Sequence, residues 1–156
     1  MGSSHVPAEI NCAILYAQLE ECREITKRRK DNYLVYLEGL QRLQDKGYFR
    51  IPSVPSHVTN NAHIFYIILP SKETRLLVEA KMRERGIAVF SHYVPLHSAP
   101  AGRKYGRVGS GSEDMEVTQN IFAGLLRLPV WVGLKEGDLR NIMLALETVC
   151  EDIRKM

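Results

Sequence analysis

The chain has 156 residues, 45% of them hydrophobic and 25% charged, which suits one ordinary hydrophobic core and excludes a disordered or fibrous protein. Its 21 Lys and Arg are interspersed with 18 Asp and Glu, so the formal net charge of +3 does not imply a nucleic-acid partner. The longest apolar runs, residues 64–69 and 87–90, fall far short of the ~20 residues that cross a bilayer, and no basic-then-apolar leader opens the chain, so a cytoplasmic protein is expected.

Pro7 suits the first turn of a helix, because its ring presets the backbone angle and its missing donor would be unpaired there anyway. Ile10, Ala13, Ile14 and Ala17 then recur at helical spacing, and a second series runs through Ile25, Tyr33, Tyr36, Leu37, Leu40 and Leu43. One straight helix over both would be ~55 Å long, too long for a compact domain of this size. The stripe changes face near Cys22 and Arg23, which predicts two helices with a bend there and a stop at Gly47. Pro52 and Pro55 make residues 51–55 an extended connector.

Residues 63–69, rich in β-branched and aromatic side chains and closed by Pro70, read as a strand. Ser71 is placed to cap a helix carrying Leu76, Leu77, Ala80 and Met82 and ending at Gly86. Residues 87–90 read as a short buried strand, residues 102–112 as a mobile Gly- and Ser-rich loop, residues 117–125 as a helix and residues 126–130 as a strand. Asp138 is expected to cap a last amphipathic helix through Leu139, Ile142, Met143, Leu146 and Val149. The alternation of strands and helices gives an α/β fold of two layers, with no internal repeat.

Chemistry concentrates in Ser91-His92-Tyr93-Val94-Pro95-Leu96-His97, where two imidazoles and a phenol share a proline-stiffened segment after a strand end. Imidazole, with an ordinary pKa near ~6.5, serves as acid, base or hydrogen-bonding group; the bland alternative is one histidine on a backbone carbonyl and the other in solvent. A zinc site would need a third ligand that the spacing does not supply. No Gly-x-Ser-x-Gly elbow supports a hydrolase. Gly102, Gly106, Gly109 and Gly111 lack the Gly-Lys-Ser/Thr that would make them a phosphate loop. Lys27-Arg28-Arg29-Lys30 lies among Glu20, Glu21, Glu24 and Asp31 and reads as a solvated helix face. Tyr33 and Tyr36 read as core, Asn60 and Asn61 as turn formers before His63. Cys12, Cys22 and Cys150 form no ligand-like pattern and are expected to be reduced and buried.

Seven blocks of sequence, in order, resemble one family. They are Gly2-Ser3-Ser4, Pro7-Ala8-Glu9-Ile10-Asn11, Ala17-Gln18-Leu19-Glu20, Asn61-Ala62-His63, His92-Tyr93-Val94-Pro95-Leu96-His97, Pro100-Ala101-Gly102 and Leu126-Arg127-Leu128-Pro129. Together they resemble the carboxyl-terminal part of nucleotide-sugar aminotransferases of the DegT/DnrJ type. The resemblance implies the small domain of the aspartate-aminotransferase fold, with residues 1–46 a helical segment bridging to a large domain and residues 47–156 the α/β unit.

It also implies a homodimeric parent that uses pyridoxal phosphate to move an amino group from glutamate to a dTDP-4-keto-6-deoxyhexose for cell-surface polysaccharide synthesis. His92, Tyr93 and His97 are the expected substrate-side contacts. The cofactor lysine belongs to the family's large domain, and Lys30, Lys72, Lys81 and Lys104 match no catalytic position, so no catalytic residue and no covalent cofactor are expected in this chain. No metal, membrane or nucleic-acid partner is implied. The rival readings are a stand-alone nucleotide-sugar-binding or regulatory module, and a weak nucleic-acid binder using residues 27–30.

Overall fold

A computed structural model describes residues 6–107 and 115–156. Helix α1 (Glu9–Glu20) and helix α2 (Cys22–Asp45) meet at Glu21, whose backbone (φ −96°, ψ 7°) leaves helical geometry where the apolar stripe changes face. The two helices bury very different amounts. On α2, Tyr33, Tyr36, Leu40 and Leu43 step by three and four residues into one buried stripe. On α1 nothing is buried, and Ile10, Ile14, Leu15, Tyr16 and Leu19 are each more than half exposed. Its apolar side chains lie on every side of the helix, the pattern of a helix enclosed by protein from more than one direction.

Strand β1 (Phe65–Ile68) leads to helix α3 (Lys72–Glu84), whose start is capped as expected by Ser71, its hydroxyl accepting from the Thr74 amide at 3.2 Å. α2 and α3 end alike. Gly47 (φ 78°) and Gly86 (φ 72°) take the left-handed turn that lets Tyr48 and Ile87 donate back to the Leu43 and Met82 carbonyls, at 3.2 and 3.0 Å. Strand β2 (Phe90–Ser91), a 3₁₀ turn at Leu96–Ser98, helix α4 (Pro100–Tyr105), helix α5 (Glu116–Gly124), strand β3 (Leu125–Leu128) and helix α6 (Glu136–Arg154) complete the order.

The sheet order is β1-β3-β2, with β3 antiparallel to both neighbours. Phe65 lies opposite Leu128 and Ile67 opposite Leu126, and all four are buried beneath α2, α3 and α6. Tyr33 meets Phe65 edge-on and Tyr36 meets it tilted, both with centroids 4.9 Å apart, and the Tyr36 hydroxyl donates to the Pro129 carbonyl at 2.9 Å. That bond satisfies a fully buried phenol whose ionisation burial pushes well above the usual range. Arg75, also buried, donates to the Ala123 carbonyl and to Glu79, both at 2.8 Å, and so ties α3 to the end of α5.

The two-layer α/β reading holds, with four local corrections. The expected buried strand 87–90 shrinks to Phe90–Ser91; Val89 is the buried residue, whereas Phe90 is 57% exposed. Residues 102–105 of the expected loop instead belong to α4, started by Pro100 in its first turn, and residues 108–112 of that loop lie outside the described residues. Lys135, not Asp138, precedes the last helix; Asp138 sits one turn in and accepts from the Lys135 amide at 2.9 Å. Of the cysteines only Cys150 is buried, its thiol pushed up to about 12 by burial and by Glu151, while Cys12 and Cys22 are exposed because α1 and the start of α2 pack on little in this chain. Among the described residues no helix is long and apolar enough to cross a membrane.

The asymmetry between α1 and α2 is measurable by urea unfolding. Leu40→Ala, which empties a fully buried site, should cost about 2–5 kcal/mol, and Ile14→Ala should stay within about 0.5 kcal/mol. Equal losses at the two positions would show that α1 packs on this chain after all.

Candidate functional site

Side chains alternate along a strand, so the burial of Leu126 and Leu128 sends Arg127 to the opposite face of the central strand. There it lies in register with Tyr66 of β1 and Phe90 of β2, forming a row of two aromatics around one guanidinium. Arg127 Nη2 donates to the Ser91 carbonyl at 3.1 Å, which ties the end of β2 to the central strand and fixes where the next residues begin.

Those next residues are the expected site. Tyr93, 75% exposed, lays its ring over the Arg127 guanidinium, whose carbon is 5.3 Å from the ring centroid. The His92 ring stands 5.3 Å from the same phenol at 58°. His92 is half-buried with Nδ1 unpartnered, and burial, followed by the charge of Arg127, holds its pKa below the ordinary imidazole value. Neutral imidazole beside a fixed cation is therefore the resting state of this corner.

His97 has a different neighbourhood. It lies in the 3₁₀ turn, half-buried, with Nε2 2.8 Å from the side-chain nitrogen of Gln119 on α5. With the Gln119 amide donating, the His97 proton sits on Nδ1. No ring contact or hydrogen bond joins His97 to His92 or Tyr93 among the described residues. The loop thus builds one cluster, His92–Tyr93–Arg127, and a second point at His97 held by Gln119.

Arg127 and Gln119 are the residues that sequence reasoning did not assign to the site. A lone charge between Leu126 and Leu128 was the available signal for Arg127, since one cation on an apolar strand must face away from the core. Gln119 carried no such signal. Beyond Tyr66, at the other end of the row, an open cleft of about 450 Å³ is bordered by Tyr33, Asn60 and His63. His63 there is held by Arg29, which donates to its carbonyl and lies 3.2 Å from Nδ1, and Asn60 and Asn61 make the expected turns by accepting from the Ala62 and His63 amides at 2.9 and 3.0 Å.

Comparison with known proteins gives this face a context. Residues 2–147 match the DegT/DnrJ/EryC1/StrS aminotransferase family. An uncharacterised protein of Methanocaldococcus jannaschii, MJ1066, is 22% identical over 98% of this chain and 39% of its own length. The aminotransferase from Psychrobacter cryohalolentis superposes with a TM-score of 0.81 at 18% identity, covering 99% of this chain and 41% of that one. Helicobacter pylori PseC, an aminotransferase involved in the biosynthesis of pseudoaminic acid, gives 0.78 at 18% identity over 97% and 40%. The chain thus spans about two fifths of the length of these relatives.

The lowered His92 pKa fixes a sign for pH dependence. The unfolded chain takes up the His92 proton near ~6.5, before the folded chain does. The contribution of His92 to stability is therefore complete above that value and is lost as the pH falls through the lower folded value. Histidine ring NMR should place His92 below ~6.5, and Arg127→Gln should raise it toward the ordinary value by removing one of the two causes. A His92 that titrates at or above the ordinary value in the unaltered chain would contradict the packing described.

Proposed function

The chain belongs to the DegT/DnrJ/EryC1/StrS aminotransferase family, and from that premise we propose that it acts as the small domain of a pyridoxal-phosphate-dependent nucleotide-sugar aminotransferase. The reaction in this reading transfers an amino group from glutamate to the keto carbon of a dTDP-4-keto-6-deoxyhexose, as a dTDP-4-amino-4,6-dideoxygalactose transaminase does for cell-surface polysaccharide synthesis. The parent is a cytoplasmic homodimer, and His92, Tyr93 and His97 contact the substrate.

One observation carries this reading beyond the family match. The chain leaves two surfaces unfinished, the Tyr66–Arg127–Phe90 face of the sheet and the all-round apolar helix α1. Both suit contact with further polypeptide of the kind that makes up the remaining length of the relatives.

Bound pyridoxal phosphate supplies the electron sink that lets an amino group move between carbons. Holding its aldehyde takes a lysine, and among the described residues no lysine amine bonds to or stacks on His92, Tyr93, His97 or Arg127. Lys27 pairs with Asp31 at 3.1 Å, Lys46 with Glu147 at 3.4 Å, and Lys104 lies 5.0 Å over the Tyr105 ring. In this reading the donors of this chain lie on the substrate side of such a site, and the lysine comes from the rest of the family fold. Tyr93 offers an exposed ring and hydroxyl on which a sugar can rest. Neutral His92 accepts or donates a hydrogen bond to a sugar hydroxyl. His97, oriented by Gln119, presents a donor on Nδ1. The Lys27–Asp31 and Arg28–Glu24 pairs, the latter at 2.7 Å, neutralise two of the four cations in the basic stripe of α2, which weakens the nucleic-acid reading.

Co-expression with a polypeptide carrying the rest of the family fold tests the proposal. The assembled protein should aminate a dTDP-4-keto-6-deoxyhexose with glutamate as donor, and Tyr93→Ala should raise KM by about tenfold, the loss of one stacking or hydrogen-bonding contact worth ~1.4 kcal/mol. The chain by itself should release pyridoxal phosphate on dialysis. Transamination by the isolated chain, or cofactor that stays covalently attached to it, would overturn the assignment. An assembled protein that binds the nucleotide sugar without turnover would favour a binding or regulatory module.

A further inference from the structure

Folded interiors leave few voids larger than a water molecule, so an open one floored by core residues stands out. One lies where the C-terminal ends of α2 and α6 meet the first turns of α3, a cavity of about 250 Å³. Leu69, Val78 and Cys150, all buried, form its floor, and half-buried Tyr48 and Ile153 form its walls. Burial keeps the Cys150 thiol neutral, so the floor carries no charge. An apolar cavity of ~150 Å³ holds a benzene molecule, and this one has room for a somewhat larger apolar body.

The mouth has the opposite character. Exposed Lys46 and Arg154 border it, and no carboxylate is among the described residues that line the cavity. Arg154 lies 5.4 Å over the Tyr48 ring and donates to the Lys46 carbonyl at 3.4 Å, contacts that keep its guanidinium at the mouth. Among the described residues it has no carboxylate partner. The Lys46 amine reaches Glu147 and Glu151 only at 3.4 and 3.5 Å, longer than the ~2.7–2.9 Å of a close charged pair. Both cations therefore keep N–H donors that a ligand can take. An apolar pocket with a few convergent polar groups is the usual form of a small-molecule site.

We propose that this cavity binds a small monocarboxylic acid with an apolar body, which rests on Leu69, Val78 and Cys150 while the carboxylate accepts from Arg154 and Lys46. The site shares no lining residue with the His92–Tyr93–Arg127 cluster or with His97, and it does not depend on the aminotransferase reading. Its occupant touches the ends of α2 and α6 and the start of α3 together, so binding braces the three helices and raises the stability of the fold by mass action.

Methyl NMR on the full chain, with hexanoate as the probe, tests the site. Hexanoate should shift the Leu69, Val78 and Ile153 methyl resonances saturably and leave the Tyr93 ring resonances unmoved. Hexanol, with a similar body and no charge, should bind at least ~tenfold more weakly. Acetate, with the charge and almost no body, should give no saturable shift. Arg154→Gln should weaken hexanoate binding by about fivefold and leave hexanol binding nearly as it was. Ile153→Trp, at a half-buried wall, and Cys150→Met, at the floor, should each fill the space and block binding.

The absence of a saturable shift with hexanoate, or saturable shifts at Tyr93 in place of those at the cavity, overturns the site. Hexanol that binds as tightly as hexanoate overturns the role given to Arg154 and Lys46 and with it the proposal. Undiminished hexanoate binding by a folded Ile153→Trp or Cys150→Met chain does the same.

Discussion

The alternation of one short strand is the constraint on which the rest depends. β3 is the middle strand of the sheet, and with Leu126 and Leu128 buried under the helices its intervening residue has to emerge on the other side. That residue is Arg127, and its bond to the Ser91 carbonyl sets the point from which the His92–His97 segment departs. A one-residue slip of β3 would bury the guanidinium and expose two leucines, so the hydrophobic core and the polar cluster enforce one register together.

The two faces of the sheet do different jobs. Aromatic packing of Tyr33 and Tyr36 on Phe65, the satisfied Tyr36 hydroxyl and the Arg75 link between α3 and α5 make the helical side closed and well paired. The other side holds exposed Phe90 and Tyr93, an arginine without a counter-ion among the described residues and a histidine nitrogen without a partner. Helix α1 adds an apolar surface that the chain does not use. The two aminotransferases it superposes on are each well over twice its length, and in the proposed reading the rest of that length covers this side.

What the sequence made legible was local. The bend at Glu21, the Ser71 cap and the glycine stops at Gly47 and Gly86 depend on a few neighbouring residues and short backbone bonds, and each was readable from residue type and position. The shortening of β2, the exposure of Cys12 and Cys22 and the placing of Asp138 one turn inside α6 depend on what packs against those residues, which apolar content alone does not reveal. The site divides in the same way. Tyr93 and His92 stood out as candidates because unusual residues crowd one loop, and the structure sets their rings side by side. Arg127 was hidden because its importance comes from the register of β3 against β2, a relation between residues 36 positions apart.

The central claim is that α1 and the open sheet face are surfaces awaiting cover, while α2 and β3 belong to a core this chain completes by itself. Amide hydrogen exchange, compared between the chain alone and the same chain assembled with the rest of its family fold, tests this most directly. The account predicts fast exchange throughout α1 in the isolated chain beside strong protection in α2 and β3, and on assembly a gain of protection in α1 and in residues 90–97 with little change in the core. Protection of α1 in the isolated chain equal to that of α2, or an assembled protein in which neither surface gains any, would contradict it.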